Sequence, residues 1–180
     1  MKHHADIAGK LRNTLITQGQ FAASADPAAV IQTLLGSCVS VCLWDETAGA
    51  GGMNHLLLAG ERIGNRSGYD MAGVAEMECL INGIIKIGGR RERLKAKVFG
   101  GAKMLDYGPA IGDTNARFAF DFLEQEGIAC VNSSVGGQAA RALRFWPASG
   151  RVIMRFVKDA PEDVAAEKVV APRGNDLELF

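Results

Sequence analysis

The sequence has no run approaching the ~20 apolar residues that a membrane-spanning helix needs. No apolar stretch follows Met1-Lys2-His3-His4-Ala5-Asp6 as a secretory signal would require. Charge imbalance is absent too: 20 Lys and Arg stand against 20 Asp and Glu, for a formal net charge of zero. That total gives no sign of a nucleic-acid or anionic-membrane partner, and any such partner would need a local patch within the neutral sum. The four cysteines (Cys38, Cys42, Cys79, Cys130) form no CxxC pair, and the three histidines do not cluster with them, so no structural zinc site is expected. Neither Gly100-Gly101 nor Gly136-Gly137 belongs to a GxxxxGK[ST] or GxGxxG pattern. These pairs read as turns, or as close backbone approach to a site, and not as phosphate loops. The expectation is a cytoplasmic chain with reduced thiols, no membrane insertion and no metal or organic cofactor.

What the sequence does have is ordinary globular material. Hydrophobic residues make up 48% and charged residues 22% of 180 positions, enough for one domain with a sizeable core. Residues 13–18 and 29–35 read as strands with an Ala-rich connection between them. The alternating run 39–44 follows a tight Gly36-Ser37 turn, and with 51–58 it makes a hairpin whose loop has five or six residues. Apolar side chains at Val74, Met77, Leu80, Ile81, Ile84 and Ile85 predict an amphipathic helix over 70–88, ending at Gly88-Gly89. The basic stretch 90–97 reads as a solvated turn into a short strand at 96–99. A second helix is predicted from Asp113, as N-cap, to Gly127, burying Phe118, Phe122 and Leu123. Strands follow at 128–132, 143–146 and 151–157. Two main helices and seven or so strands, without βαβ repetition, predict a layered α/β sandwich of mixed, mainly antiparallel strands. The domain is expected over 1–158, with 159–175 a solvated tail and an apolar end, Leu177-Glu178-Leu179-Phe180, that docks back.

His3 and His4 lie in a polar N-terminal segment, which leaves His55 as the candidate for imidazole chemistry. A loop of five or six residues pairs positions whose numbers sum to about 93 or 94, so Cys38 and His55 fall opposite each other or one position off. Opposed residues on one sheet face bring thiol and imidazole within reach. An imidazole can take the thiol proton, and the Gly36-Ser37 entry lets backbone N–H groups face an oxyanion. Asn54 points to the other face, and a backbone carbonyl or the Thr33 hydroxyl is the candidate to orient the ring. The plainer alternative is that Cys38 is a small core residue. Cys42, on the same strand face, is an equal candidate for the reactive thiol. Cys79 and Cys130 are expected in the core.

At these residues the sequence resembles the CheD family of chemoreceptor glutamine deamidases. The likeness runs through Thr33-Leu34-Leu35-Gly36-Ser37-Cys38-Val39-Ser40-Val41-Cys42, Gly51-Gly52-Met53-Asn54-His55 and Lys97-Val98-Phe99-Gly100-Gly101-Ala102. It continues through Ile111-Gly112 with Asn115, Glu126-Gly127-Ile128 and Val135-Gly136-Gly137 to the final Leu177-Glu178-Leu179-Phe180. It departs from the family at 133–141, where the usual Asp before Gly-Gly and the basic pair after it are missing. The resemblance implies an α/β sandwich similar to that of deamidating bacterial toxins. It also implies a cysteine hydrolase acting on receptor glutamines, with Cys38 as nucleophile, His55 as acid/base and Thr33 as a third functional residue. Chemoreceptor cytoplasmic helices are the implied substrate, and a CheC-type phosphatase the implied partner. Two rivals remain at this point, a non-catalytic regulator of a phosphatase or receptor and a cysteine protease.

Overall fold

A computed structural model describes residues 13–58, 71–104, 110–157 and 177–179. In chain order the elements are β1 (Thr14–Leu15), β2 (Phe21–Ser24), β3 (Ile31–Leu35), β4 (Val39–Asp45) and β5 (Ala50–Asn54). They continue with α1 (Met71–Lys86), β6 (Lys95–Gly100), α2 (Ile111–Gln125), β7 (Ala129–Val135), β8 (Ala140–Trp146), β9 (Arg151–Val157) and β10 (Leu177–Leu179). One sheet has the order β1-β3-β8-β9-β10 and the other β2-β5-β4-β6-β7. Pairing is antiparallel except for β1 with β3 and β6 with β7, the latter joined through α2. This is the expected mixed, mainly antiparallel α/β sandwich.

Strand β4 shows why three layers form. All seven of its residues are buried, so it has no solvent face. Val39, Val41 and Leu43 pack into one core with Met77, Leu80, Ile81 and Ile84 of α1 and Phe122 and Leu123 of α2. Cys42 and Trp44 alternate with them and pack into a second core with Ile31, Leu143, Phe145, Val152 and Met154 of the other sheet. The period-2 alternation therefore serves two apolar neighbours, helices on one side and a sheet on the other. Helix α1 stops where its amphipathic stripe ends. Gly88, at φ 106°, donates to Ile85 O and Gly89 donates to Ile84 O, a Schellman closure that satisfies the last carbonyls.

Several local expectations are corrected. Strand β2 lies in what reads as an Ala-rich connection, because small residues suffice where its partner β5 is itself Gly-rich. Helix α2 starts at Ile111 with Ala110 as N-cap, so Asp113 sits in the first turn, where its charge favours the helix dipole. The hairpin loop has four residues: Asp45 pairs with Ala50, and Asp45 Oδ1 accepts from Ala48 N at 3.1 Å, tightening the turn. The basic stretch is a turn, but its charges are tied down. Arg91 binds Glu78 at 2.6 Å and also Glu126, while Arg93 Nε donates at 2.8 Å to the buried Asp45. Cys130 is exposed on edge strand β7 and Cys79 is only partly buried. The apolar end pairs antiparallel with β9 through Leu177–Leu179. The reading of 159–175 lies outside the described residues.

Candidate active site

The hairpin register decides how Cys38 and His55 meet. Cys42 pairs with Met53, and an isolated bridge joins Val39 to Leu56. Extended by one residue, that register sets Cys38 opposite Leu57 and His55 opposite Ser40. Cys38 and His55 are thus diagonal neighbours, two positions away from direct opposition, because the loop is centred between residues 47 and 48 and paired numbers sum to 95. Diagonal pairs on one face still lie within reach of long and ring side chains. The His55 backbone is pinned from β2's side, its N–H donating to Gln20 O at 2.9 Å and its carbonyl accepting from Gly19 N at 2.8 Å.

The imidazole is oriented from the opposite sheet. Thr33, buried on β3, places Oγ1 2.8 Å from His55 Nδ1 and donates to Ile16 O at 2.9 Å. A carbonyl only accepts, so the single hydroxyl proton is committed to Ile16. Nδ1 must then carry the hydrogen shared with Oγ1, which leaves the Nε2 lone pair free to act as base. Burial pushes the His55 pKa down to about 4, with the Ile16 carbonyl opposing. The ring is therefore neutral at physiological pH, the form in which an imidazole can accept a proton.

Burial pushes the Cys38 thiol up to about 11, its own backbone N–H opposing and the Glu76 carboxylate adding to the rise. With imidazole and thiol shifted apart, the two groups rest as a neutral thiol and a neutral imidazole, not as a thiolate–imidazolium ion pair. Cys38 is 8% exposed, whereas Cys42 is wholly buried between the sheets. Burial drives Cys42 further from ionisation than Cys38, opposed by Lys97. Access thus separates two thiols that the sequence left equivalent.

The chain around Cys38 is held by its carbonyls. Gly36 O accepts from Ala102 N at 2.9 Å, and Cys38 O accepts from Gly101 N at 2.8 Å. Between them, Ser37 O accepts from Asn115 Nδ2 at 2.8 Å. Gly100 and Gly101 have φ of 110° and 66°. A Cβ on Gly100 would overlap the Cys38 carbonyl oxygen, so the pair marks close backbone approach to a site. Asn115 is the residue for which sequence reading found no role. Its signal was an amide on the buried stripe Gly112, Asn115, Ala116, Ala119, Phe122 of α2, a place where a polar group needs partners. Asn54 lies on the helix-facing side, its Oδ1 accepting from Val41 N. Among the described residues no group of three or more His, Cys, Asp or Glu could hold a metal ion. No described helix is long and apolar enough to cross a membrane.

Comparison with known proteins places the chain in a family. Residues 57–156 match the family model described as CheD chemotactic sensory transduction. The probable chemoreceptor glutamine deamidase CheD of Caulobacter sp. (strain K31) is 49% identical, covering 98% of this chain and 97% of its own. That of Rhizobium rhizogenes (strain K84 / ATCC BAA-868) is 51% identical over 94% of this chain and 96% of its own. Among solved structures, the Bacillus licheniformis hypothetical protein YfiH aligns with a TM-score of 0.42 and 12% identity, over 63% of this chain and 49% of that one. With relatives near half identity along almost its full length, this chain belongs to the CheD family.

Proposed function

We propose that the protein is a cysteine-dependent protein-glutamine amidohydrolase that converts glutamine side chains of chemoreceptors to glutamate. Cys38 is the nucleophile, His55 the acid/base and Thr33 the residue that orients the ring. The observation that carries this reading is the relay from Ile16 O through Thr33 Oγ1 to His55 Nδ1, on the sheet face that also bears the least buried thiol of β4 and its entry.

The reaction follows from the neutral resting pair. As Cys38 Sγ attacks the carboxamide carbon, its proton passes to His55 Nε2 and the carbonyl oxygen becomes an oxyanion. Collapse breaks the C–N bond, and His55 returns the proton to the departing ammonia, leaving a thioester. His55 then takes a proton from water as the water attacks. The C–S bond breaks, the thiol regains its proton, and glutamate leaves. Transferring the thiol proton during attack avoids forming a thiolate in a buried site that disfavours one.

Family membership and the relatives' names support receptors as substrate. The cytoplasmic helices of chemoreceptors offer glutamine on a long flexible stem, suited to a recessed thiol. A cytoplasmic location and a CheC-type phosphatase partner belong to the same reading. The test is mass spectrometry of a receptor cytoplasmic fragment after incubation. The expected result is amide-to-acid conversion at particular glutamines without chain cleavage. Cleaved fragments would indicate a protease, and an unmodified receptor a binding protein.

A further inference from the structure

We infer that Asn115 is a positioning residue for the proposed reaction, holding the Ser37–Cys38 peptide so that the Cys38 N–H faces the reacting atoms. The inference rests on Cys38 being the nucleophile. In a planar trans peptide the C=O of one residue and the N–H of the next point in opposite directions. Fixing the Ser37 carbonyl therefore fixes the Cys38 N–H. The two flanking carbonyls, of Gly36 and Cys38, are held by backbone N–H groups. Ser37 O is held by a side chain, Asn115 Nδ2 at 2.8 Å. Because Asn115 pulls this carbonyl toward α2, the Cys38 N–H is turned away from the helix. Covalent geometry keeps a cysteine's own N–H close to its Sγ, so this donor sits beside the attacking sulfur. A donor there meets the oxyanion as it forms, an interaction whose removal typically costs about 10²–10³ in kcat.

The same side chain also holds the other half of the site. Asn115 Oδ1 accepts from Leu58 N at 3.0 Å, three residues after His55. One buried amide on α2, 0% exposed, thus joins the chain entering Cys38 to the chain leaving His55. Both of its polar ends are used, which an apolar core residue could not do.

The experiment compares wild-type protein with Asn115→Ala and Asn115→Asp. The Asp variant keeps the acceptor for Leu58 N while losing the donor to Ser37 O. Deamidation of a receptor fragment should fall at least tenfold in kcat with KM nearly unchanged, because the lost interaction forms in the transition state. Iodoacetamide labelling of Cys38 in Asn115→Ala at pH 9, mapped by peptide mass and needing no receptor, should slow by about fivefold as the thiolate loses an aimed donor. A structural residue would leave that labelling rate unchanged in the folded fraction. Wild-type kcat in both variants, unchanged labelling, or failure of both to fold overturns the proposal. An inactive wild-type protein would sink the deamidase reading instead, and the labelling arm would still judge Asn115.

Discussion

Ionisation of single residues gives the most readily checked consequences. His55 has a folded pKa near 4, against an ordinary value of about 6.5. The reactive form needs a neutral ring and a protonated thiol, so kcat/KM should rise through about pH 4 and stay level through neutrality. An acid limb near pH 6.5 would show that the ring is not held neutral. Stability carries the same signature. Above pH 6.5 the ring is neutral in both folded and unfolded chains and contributes no pH dependence. As pH falls from 6.5 toward 4, only the unfolded chain gains the proton, so the folded state loses about 3 kcal/mol. Denaturant unfolding should show that loss in wild type and not in His55→Gln. Thiol labelling separates an ion-paired from a neutral resting site. The activated dyad suggests that Cys38 is the thiol most readily alkylated at neutral pH. With Cys38 pushed up to about 11 and 8% exposed, exposed Cys130 should be labelled first. Cys38 labelling should accelerate toward pH 11. Faster labelling of Cys38 than Cys130 at pH 7 would point to an ion-paired resting state.

At the scale of elements, the parts that sequence made legible were those written in a single period. The stripe of α1 and the alternation of β4, β8 and β9 require no knowledge of partners. Strand β2 was not legible, since Phe21–Ser24 has the composition of a linker and becomes a strand through its pairing with β5. The hairpin register was misjudged by the placement of one loop, whose centre between residues 47 and 48 makes paired numbers sum to 95. Nor was the turn at Arg91–Arg93 legible as an anchor, because Asp45 and Glu126 are distant in sequence. Asp45 illustrates what that turn does. Burial pushes its carboxyl up, yet donations from Arg93, Ala48 N and Arg90 N hold it below the usual carboxylate range. Asp45→Ala strips a buried group from four donors and should cost about 3 kcal/mol in denaturant unfolding. A change under 1 kcal/mol would mean that the turn is held by other contacts.

Across the whole molecule, the site exists because two sheets and a helix layer converge on one strand entry. The Cys38 loop belongs to the central sheet, Thr33 beside the His55 ring to the outer sheet, and the clamp on the Ser37 carbonyl to α2. Sequence gave Cys38, His55 and Thr33 as candidates, but the choice between Cys38 and Cys42 depends on access, a property of the assembled layers. Docking onto receptor helices should also set specificity. Free glutamine lacks the remote contacts that position its carboxamide and should react far more slowly than receptor glutamine. A Gln→Asn receptor variant, its carbonyl withdrawn by one methylene, should lose about a hundredfold. Comparable turnover of free glutamine would indicate a small-molecule glutaminase. The most direct test of the account compares receptor deamidation by wild type, Cys38→Ala and Cys42→Ala, each checked for folding by circular dichroism. The account predicts that Cys38→Ala is folded and inactive while Cys42→Ala retains most activity. Activity in a folded Cys38→Ala protein, or its loss only in a folded Cys42→Ala, would contradict it.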